Sequence, residues 1–429
     1  MQYISNGIIY ILMICMMLGC IGAIKDSSCG IGFEFCEGIR QLGVIIIPIA
    51  GVMAALPYLN IFVEGAFTNI AKVMGHDTAV WAGMLLPPDM GGNILAYSIA
   101  SVPETWIIAL FISFILGANV TFGIPLAFAM VTERDSKYMS LGILCGLIAC
   151  PVGITASCLL CMYTHPLIRN GISTTMAATE QISLTWPVIF MNLLPVYILC
   201  GAIAAGMWMA PQKMVKGFYI FGKMLNGLLC IIFAMAVAEY FTGLGSTIWS
   251  GWAFNPIAAD SADSNRALEI AGYCAMMLGG AYPMMYLLQK YVGKRLAKLG
   301  NRLGVSSIGC LGIVASAVTL VAMFRNYAKM PPMDKVRSAA WALCGGYILA
   351  DHLVYCYNFQ PALYGCLLIG KITGGVLAMI LVSVAARKTV LNMEEDDRQT
   401  GVIGEDEYLE YEMEVLNIQK GRKSGKVIM

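Results

Sequence analysis

Residues 79–101 read AVWAGMLLPPDMGGNILAYSIAS, an apolar run of membrane-spanning length interrupted at its centre by Leu85-Leu86-Pro87-Pro88-Asp89-Met90-Gly91-Gly92-Asn93. Two prolines remove backbone donors, and two glycines relax φ. Between them stands a carboxylate, which costs about 2.5–3.5 kcal/mol at the centre of a membrane helix on insertion scales. A broken helix with a buried acid is how membrane proteins expose backbone groups to a polar solute.

The rest of the 429-residue chain agrees with a membrane reading. Hydrophobic residues make up 59% and charged residues 12%, about half the charged share of a soluble domain. The mean hydropathy is +0.73. Lipid satisfies no free backbone polar group, so runs of about 20 apolar residues must be helical. The chain is expected to be an all-α polytopic membrane protein with eleven spans near 4–24, 41–63, 79–101, 105–131, 139–163, 185–210, 217–242, 267–290, 305–326, 338–358 and 361–386. The first span follows a start with no basic residues and is longer than a signal-peptide core, so it reads as a retained helix. Basic residues fall on both sets of alternating loops; the charged tail, with a short amphipathic helix near 405–418, favours a cytoplasmic C-terminus.

A weak internal repeat organises these spans. Asp135–Gly146 (DSKYMSLGILCG) aligns with Asp334–Gly345 (DKVRSAAWALCG), and Gly91-Gly92 aligns with Gly279-Gly280. The offset is five spans, an odd number, which predicts an inverted repeat of 5 + 5 helices. The expected organisation is a first helix and loop at 1–40, repeat A at 41–210, repeat B at 211–390 and a solvated tail at 391–429.

Candidate binding residues follow from polar groups at depth. Asp89, with Gly91, Gly92 and Asn93, is the strongest group. Its repeat counterpart, Gly279-Gly280-Ala281-Tyr282-Pro283, carries the same breaker chemistry and offers Tyr282 as a ring face and hydroxyl. Span 10 holds Asp351 and His352, the latter able to exchange a proton near neutral pH. Lys371, within Gly370-Lys371-Ile372-Thr373-Gly374-Gly375, is the natural partner of Asp89 or Asp351, and Asn192 is a neutral polar group inside span 6.

Other function classes find little support. A net charge of +1 makes no case for nucleic acid. The 15 cysteines and three histidines show no paired CxxC or zinc spacing, and the methionines read as packing residues. Cys29 and Cys36 share a loop where a disulfide is open to them. HExxH, GxSxG and Walker A patterns are missing, so neither membrane-embedded enzyme chemistry nor direct ATP use is indicated. No cofactor is expected.

Five stretches in order, Pro88-Asp89-Met90-Gly91-Gly92, Ser140–Gly153, Met276–Leu288, Ala350-Asp351-His352 and Ile369–Gly375, resemble the ethanolamine utilization transporter (EutH) family. The resemblance spans roughly residues 5–390. It implies a bacterial inner-membrane permease that takes up ethanolamine for catabolism in a microcompartment, with the lipid bilayer and the amine as partners; a homo-oligomer is compatible with the sequence. On that expectation Asp89 takes the ammonium, and Asn93, Tyr282 or Asn192 holds the hydroxyl. Asp351 and His352 form the opposing polar layer, and Lys371 holds a carboxylate when the site is empty. The Pro87-Pro88 pair departs from the family pattern and leaves choline or propanolamine as alternative substrates. A scaffold or sensor acting through the tail is a further alternative. Proton coupling and potential-driven uniport are both open.

Overall fold

The structure, a computed structural model, describes residues 2–132, 134–261, 263–303, 320, 323–324, 327–349 and 351–399. The expected span at 305–326 lies almost wholly outside the described residues, and the expected tail helix at 405–418 lies entirely outside them. Among the described residues the protein is helical except for one two-residue antiparallel pair, β1 (Leu167–Ile168) with β2 (Glu180–Gln181). Six helical segments among the described residues are long and apolar enough to cross a membrane: Gly30–Met74, Pro103–Phe128, Ser136–Thr164, Trp186–Gly206, Lys223–Thr242 and Pro361–Gln399.

The first half comprises α1 (Gln2–Lys25), α2 (Gly30–Arg40), α3 (Leu42–Met74), α4 (Ala79–Leu85), α5 (Gly92–Ile99), α6 (Pro103–Ile112), α7 (Ile124–Met130) and α8 (Ser136–Thr164). Two π-helical stretches, Ser113–Gly117 and Asn119–Gly123, join α6 to α7. After the β pair come α9 (Trp186–Met209), α10 (Pro211–Thr242), α11 (Leu244–Ile248), α12 (Ala267–Leu303), α13 (Pro332–Gly345), α14 (Asp351–Phe359), α15 (Tyr364–Leu381) and α16 (Arg387–Gln399). The segment 1–40 is not set apart, since α1 and α2 both pack on α12. Cys29 and Cys36 are separate thiols, and Cys29 donates to Asp26 at 2.9 Å.

The centre of the bundle is α8, flanked by α13 and α15. Small residues let the three backbones approach: a Cβ on Gly142 would stand 2.6 Å from the Val336 carbonyl oxygen, and one on Gly153 2.8 Å from that of Gly370. The order of contacts gives the directions. Asp135 meets Lys335, Gly146 meets Leu343, and the Cys150 and Cys344 sulfurs lie 3.5 Å apart, so α8 and α13 run side by side in the same direction. These two carry the aligned DSKYMSLGILCG and DKVRSAAWALCG stretches, which an inverted repeat would set in opposite directions. Both stretches lie in the contact between the two helices. The α15 helix returns antiparallel, from Cys366 beside Thr164 to Ser383 beside Arg337.

Two expected features of the spans are corrected. The 79–101 segment is broken where the sequence placed the break, but it turns back instead of crossing. Asp77, before α4, accepts hydrogen bonds from the Ser101 backbone N–H at 2.9 Å and the Thr105 hydroxyl at 2.8 Å, so both limbs begin and end at the same end of the bundle. That is the end where α8 finishes, as the Tyr97 hydroxyl near the Asn170 carbonyl shows. Conversely, α12 is not broken at Gly279–Pro283 and carries Pro283 within a continuous helix. Its glycines serve contact: a Cβ on Gly280 would lie 2.5 Å from the Leu12 carbonyl oxygen, and one on Gly279 2.8 Å from the Ile39 side chain of α2.

At the other end of α8 the buried pair Lys335–Asp135, 2.6 Å apart and 3% and 1% exposed, ties the starts of α8 and α13 together. Replacing one member of such a pair strands a buried charge, at a cost of roughly 3–5 kcal/mol, whereas replacing both with apolar residues is near neutral. Lys335→Met is expected to lower the thermal unfolding temperature of the purified protein sharply. The double variant Asp135→Leu/Lys335→Met recovers most of the loss in the same measurement.

Candidate substrate site between two broken helices

The hairpin α4–α5 turns through an extended Leu86-Pro87 and a single 3-10 turn, Pro88–Met90. Gly91 closes it at φ +90°, and a Cβ there would come within 2.2 Å of the Val52 side chain on α3. Left-handed backbone and close approach thus both require glycine at this position. Gly92 sits as tightly, with its would-be Cβ 2.4 Å from the Leu86 carbonyl oxygen. Asp89 occupies the middle of the tip and is half-buried.

A second break lies between α13 and α14, where Tyr347 adopts φ +63°. The span expected at 338–358 is interrupted here: the helix breaks before Asp351, and His352 is buried. Asp351 is half-buried in the first turn of α14, where the helix dipole favours a carboxylate.

Each break leaves carbonyls without helical donors, and side chains replace those donors. The Ser113 hydroxyl donates to the Leu86 carbonyl at 2.6 Å, and that of Thr121 donates to Leu85. The Asn119 amide donates to Leu343. Lys371 is fully buried; its ammonium donates to the carbonyls of Gly346 at 2.8 Å and Cys344 at 3.4 Å. The Tyr364 hydroxyl donates to the Ile348 carbonyl at 2.9 Å.

The two breaks meet. Asp89, Asp351 and Lys371 lie within electrostatic range of one another. Tyr282 on α12 lies within electrostatic range of Asp351, and Tyr347 within range of both carboxylates. The His352 ring lies 5.0 Å from that of Phe114 and 5.4 Å from that of Tyr347, and its Nδ1 has no hydrogen-bond partner among the described residues. Two half-buried carboxylates, a buried ammonium and several aromatic faces are groups of the kind that hold a small organic cation.

Two sequence candidates do different work. Asn93 is wholly buried with both ends of its amide engaged: it accepts from the Trp106 indole at 2.8 Å and donates to the Tyr355 hydroxyl at 3.2 Å. It is a strut between hairpin, α6 and α14. Asn192 is not at the tip. It accepts from the Asp77 backbone N–H at 2.8 Å and donates to the Val188 carbonyl, so it braces the base of the hairpin. A polar group inside an apolar helix takes the nearest backbone partner, and here that partner is the hairpin's entry.

Sequence reasoning missed Asp77, which joins the two ends of the hairpin and caps α4 through Ala79 N–H at 2.8 Å. The signal was present: Asp77-Thr78 immediately before an apolar run is a helix-start pattern. Ser113, Asn119 and Thr121, single polar residues in an apolar run, carry no sequence mark of the carbonyls they serve. Asp77→Ala removes hydrogen bonds to a charged acceptor, each worth about 1.5–3 kcal/mol. Amide hydrogen exchange across residues 79–99 is expected to accelerate in that variant while α8 stays protected; unchanged exchange in the hairpin would show that Asp77 does not hold it.

A family model described as "Ethanolamine utilisation protein, EutH" matches residues 4–385. A protein named probable ethanolamine permease EutH from Listeria monocytogenes is 30% identical over 400 residues, covering 93% of this chain and 98% of that protein. One of the same name from Salmonella typhimurium is 30% identical over 396 residues, covering 88% and 94%. The uncharacterized protein YxeR of Bacillus subtilis is 25% identical over 376 residues, covering 87% and 93%. No solved structure matches the chain.

Proposed function

This chain belongs to the EutH family of ethanolamine utilisation proteins, and from that premise we propose that it is a permease for protonated ethanolamine, taking up the amine across a bacterial inner membrane for catabolism. The relatives named as probable ethanolamine permeases support the substrate. The observation that carries the reading is the presence of Asp89 and Asp351 at two helix breaks within electrostatic range of each other and of the buried Lys371 ammonium, which is held on the Gly346 and Cys344 carbonyls.

The substrate's ammonium has three N–H donors and one positive charge, and Asp89 is its acceptor at the hairpin tip. Tyr282 offers a hydroxyl to the alcohol end, and Tyr347 a ring face to the carbon next to the charge. Gly91 and Gly92 let the tip seat against Val52 and the Leu86 carbonyl, which holds Asp89 in place. Asn93 acts through Tyr355 by fixing the hairpin against α14. Lys371 pins the end of α13 and keeps the two carboxylates from repelling each other when no amine is bound. His352 closes the site against Phe114. Transport proceeds by alternating access, the hairpin α4–α5 and the short helix α14 shifting against the continuous helices α8 and α15. No step alters the solute.

The test is uptake of labelled ethanolamine into proteoliposomes at acidic external pH, measured against protein-free vesicles. Saturable uptake is expected, and Asp89→Asn should weaken apparent affinity roughly 30-fold or more, the loss when one partner of a buried charge pair is removed. Choline, which has no N–H to give a carboxylate, should compete more weakly than a primary amine. Undiminished uptake by correctly inserted Asp89→Asn protein would remove that residue from the binding role.

A further inference from the structure

The interior is not filled on one side of the α13 break. A cavity with about 290 Å³ of space free of protein atoms, part of it open to the surroundings, lies there. Its described lining includes Asn119, Gly123 and Ala127 on the π-helical link and α7, Met139 on α8, Ala339 on α13 and Tyr347 just past it. These residues give the cavity a direction. Asn119 and Tyr347 stand at the break, since the Asn119 amide donates to the Leu343 carbonyl and Tyr347 follows the Gly346 that Lys371 holds. From there α7 leads toward the start of α8, where Met139 lies in the first turn, and Ala339 lies toward the start of α13. The roughly two turns from Asn119 to Ala127 carry the cavity about 10 Å that way. The hairpin α4–α5 is anchored at the opposite end of the bundle.

The end of the cavity nearest the break is polar by construction. Gly123 has ordinary helical backbone, φ −62° and ψ −48°, where glycine is weaker than alanine. Gly117, on the same link, is small because backbone approaches it: its Cβ would lie 2.4 Å from the Gly83 and Leu86 carbonyl oxygens. At Gly123 a Cβ would instead meet side-chain oxygens, Asn119 Oδ1 at 2.6 Å and the Tyr347 hydroxyl at 3.5 Å. The Asn119 nitrogen is committed to the Ile115 and Leu343 carbonyls, which turns Oδ1 toward Gly123. Gly123 thus seats one hydrogen-bond acceptor beside another at the mouth of the cavity. The rest of the described wall is apolar.

We propose that this cavity is the second half of the solute's path. Ethanolamine leaves the Asp89 site past Asn119 Oδ1 and the Tyr347 hydroxyl, which accept from its ammonium and alcohol donors. It then crosses the cavity to the end of the bundle where α8 begins. The apolar wall is the gate of this half. A narrow apolar passage excludes water, and a cation with it, until it widens. The inference rests on the permease reading above and adds the route and the gate on one side of the site.

The experiment uses the full chain and two variants that fill the cavity from different helices, Ala127→Leu on α7 and Ala342→Leu on α13, both lining it. Each is read by equilibrium binding of labelled ethanolamine to purified protein, by saturable uptake into proteoliposomes and by thermal unfolding. Both should bind the amine as the unaltered chain does and unfold at no lower temperature. Their uptake should fall roughly tenfold or more, the kinetic penalty of overpacking a route that must open. Unchanged uptake with a raised unfolding temperature would reveal a mere packing void and overturn the passage while leaving the permease standing. Loss of binding together with uptake would place the effect at the site itself and overturn it equally. Where leucine is not accommodated, Ala127→Cys decides. A membrane-impermeant thiol reagent applied at the end where α8 begins should modify position 127, read by peptide mass, faster with ethanolamine than without. No modification from either face would overturn the passage. An unaltered chain with no saturable uptake would remove the permease reading, and the passage with it.

Discussion

Every break in these helices has to satisfy carbonyls that water cannot reach. A buried carbonyl without a donor costs about 1–3 kcal/mol, and the interior holds at least six from the two central breaks. Leu85, Leu86, Leu343, Cys344, Gly346 and Ile348 each find a side-chain donor. Three of those donors, Ser113, Asn119 and Thr121, stand on the π-helical link between α6 and α7. π-Helical turns widen the helix and shift the register of its side chains, and they are frequent at functional sites. Here one link serves both breaks, so the hairpin tip and the α13–α14 junction are held by a common spine.

The same logic reappears away from the site. Pro57 in α3 deprives the Met53 carbonyl of its helical donor. Asn255 supplies one, its amide donating to Met53 at 3.2 Å and its backbone N–H to Ala54 at 2.9 Å. That bend lies just past Val52, against which Gly91 packs. The course of α3 and the seat of the hairpin tip are therefore set together. At the far end of α14, Arg169 donates to the Asn358 carbonyl at 2.5 Å, and Gln360 exchanges two hydrogen bonds with the Arg169 backbone. Both short helices that carry a site carboxylate are anchored at the same end of the bundle.

The sequence makes some of this legible and hides the rest for physical reasons. A carboxylate flanked by Pro-Pro and Gly-Gly has few uses other than a break, and Asp89 is found at one. Asp351 and Lys371 were equally exposed by their cost at depth. The direction of the 79–101 segment was not readable, because a hairpin and a crossing present the same hydropathy. Gly279-Gly280 illustrates a second ambiguity. Paired glycines either loosen a helix or let another backbone touch it, and only the partner, here Leu12 on α1, decides. Asn192 illustrates a third, since an amide in an apolar helix has no sequence mark of which backbone it will meet.

The arrangement also explains why the site residues sit on the least self-sufficient helices. Segments of seven to nine residues such as α4, α5 and α14 are too short to hold helical structure alone. Their positions are imposed by Asp77, Asn93, Arg169 and the spine rather than by their own ladders. Small changes in those few bonds therefore translate into movement of a carboxylate, whereas α8, locked to α13 by Asp135–Lys335 and to α15 by glycine contacts, has no comparable freedom. The two carboxylates thus stand on short, externally held segments beside a rigidly packed core.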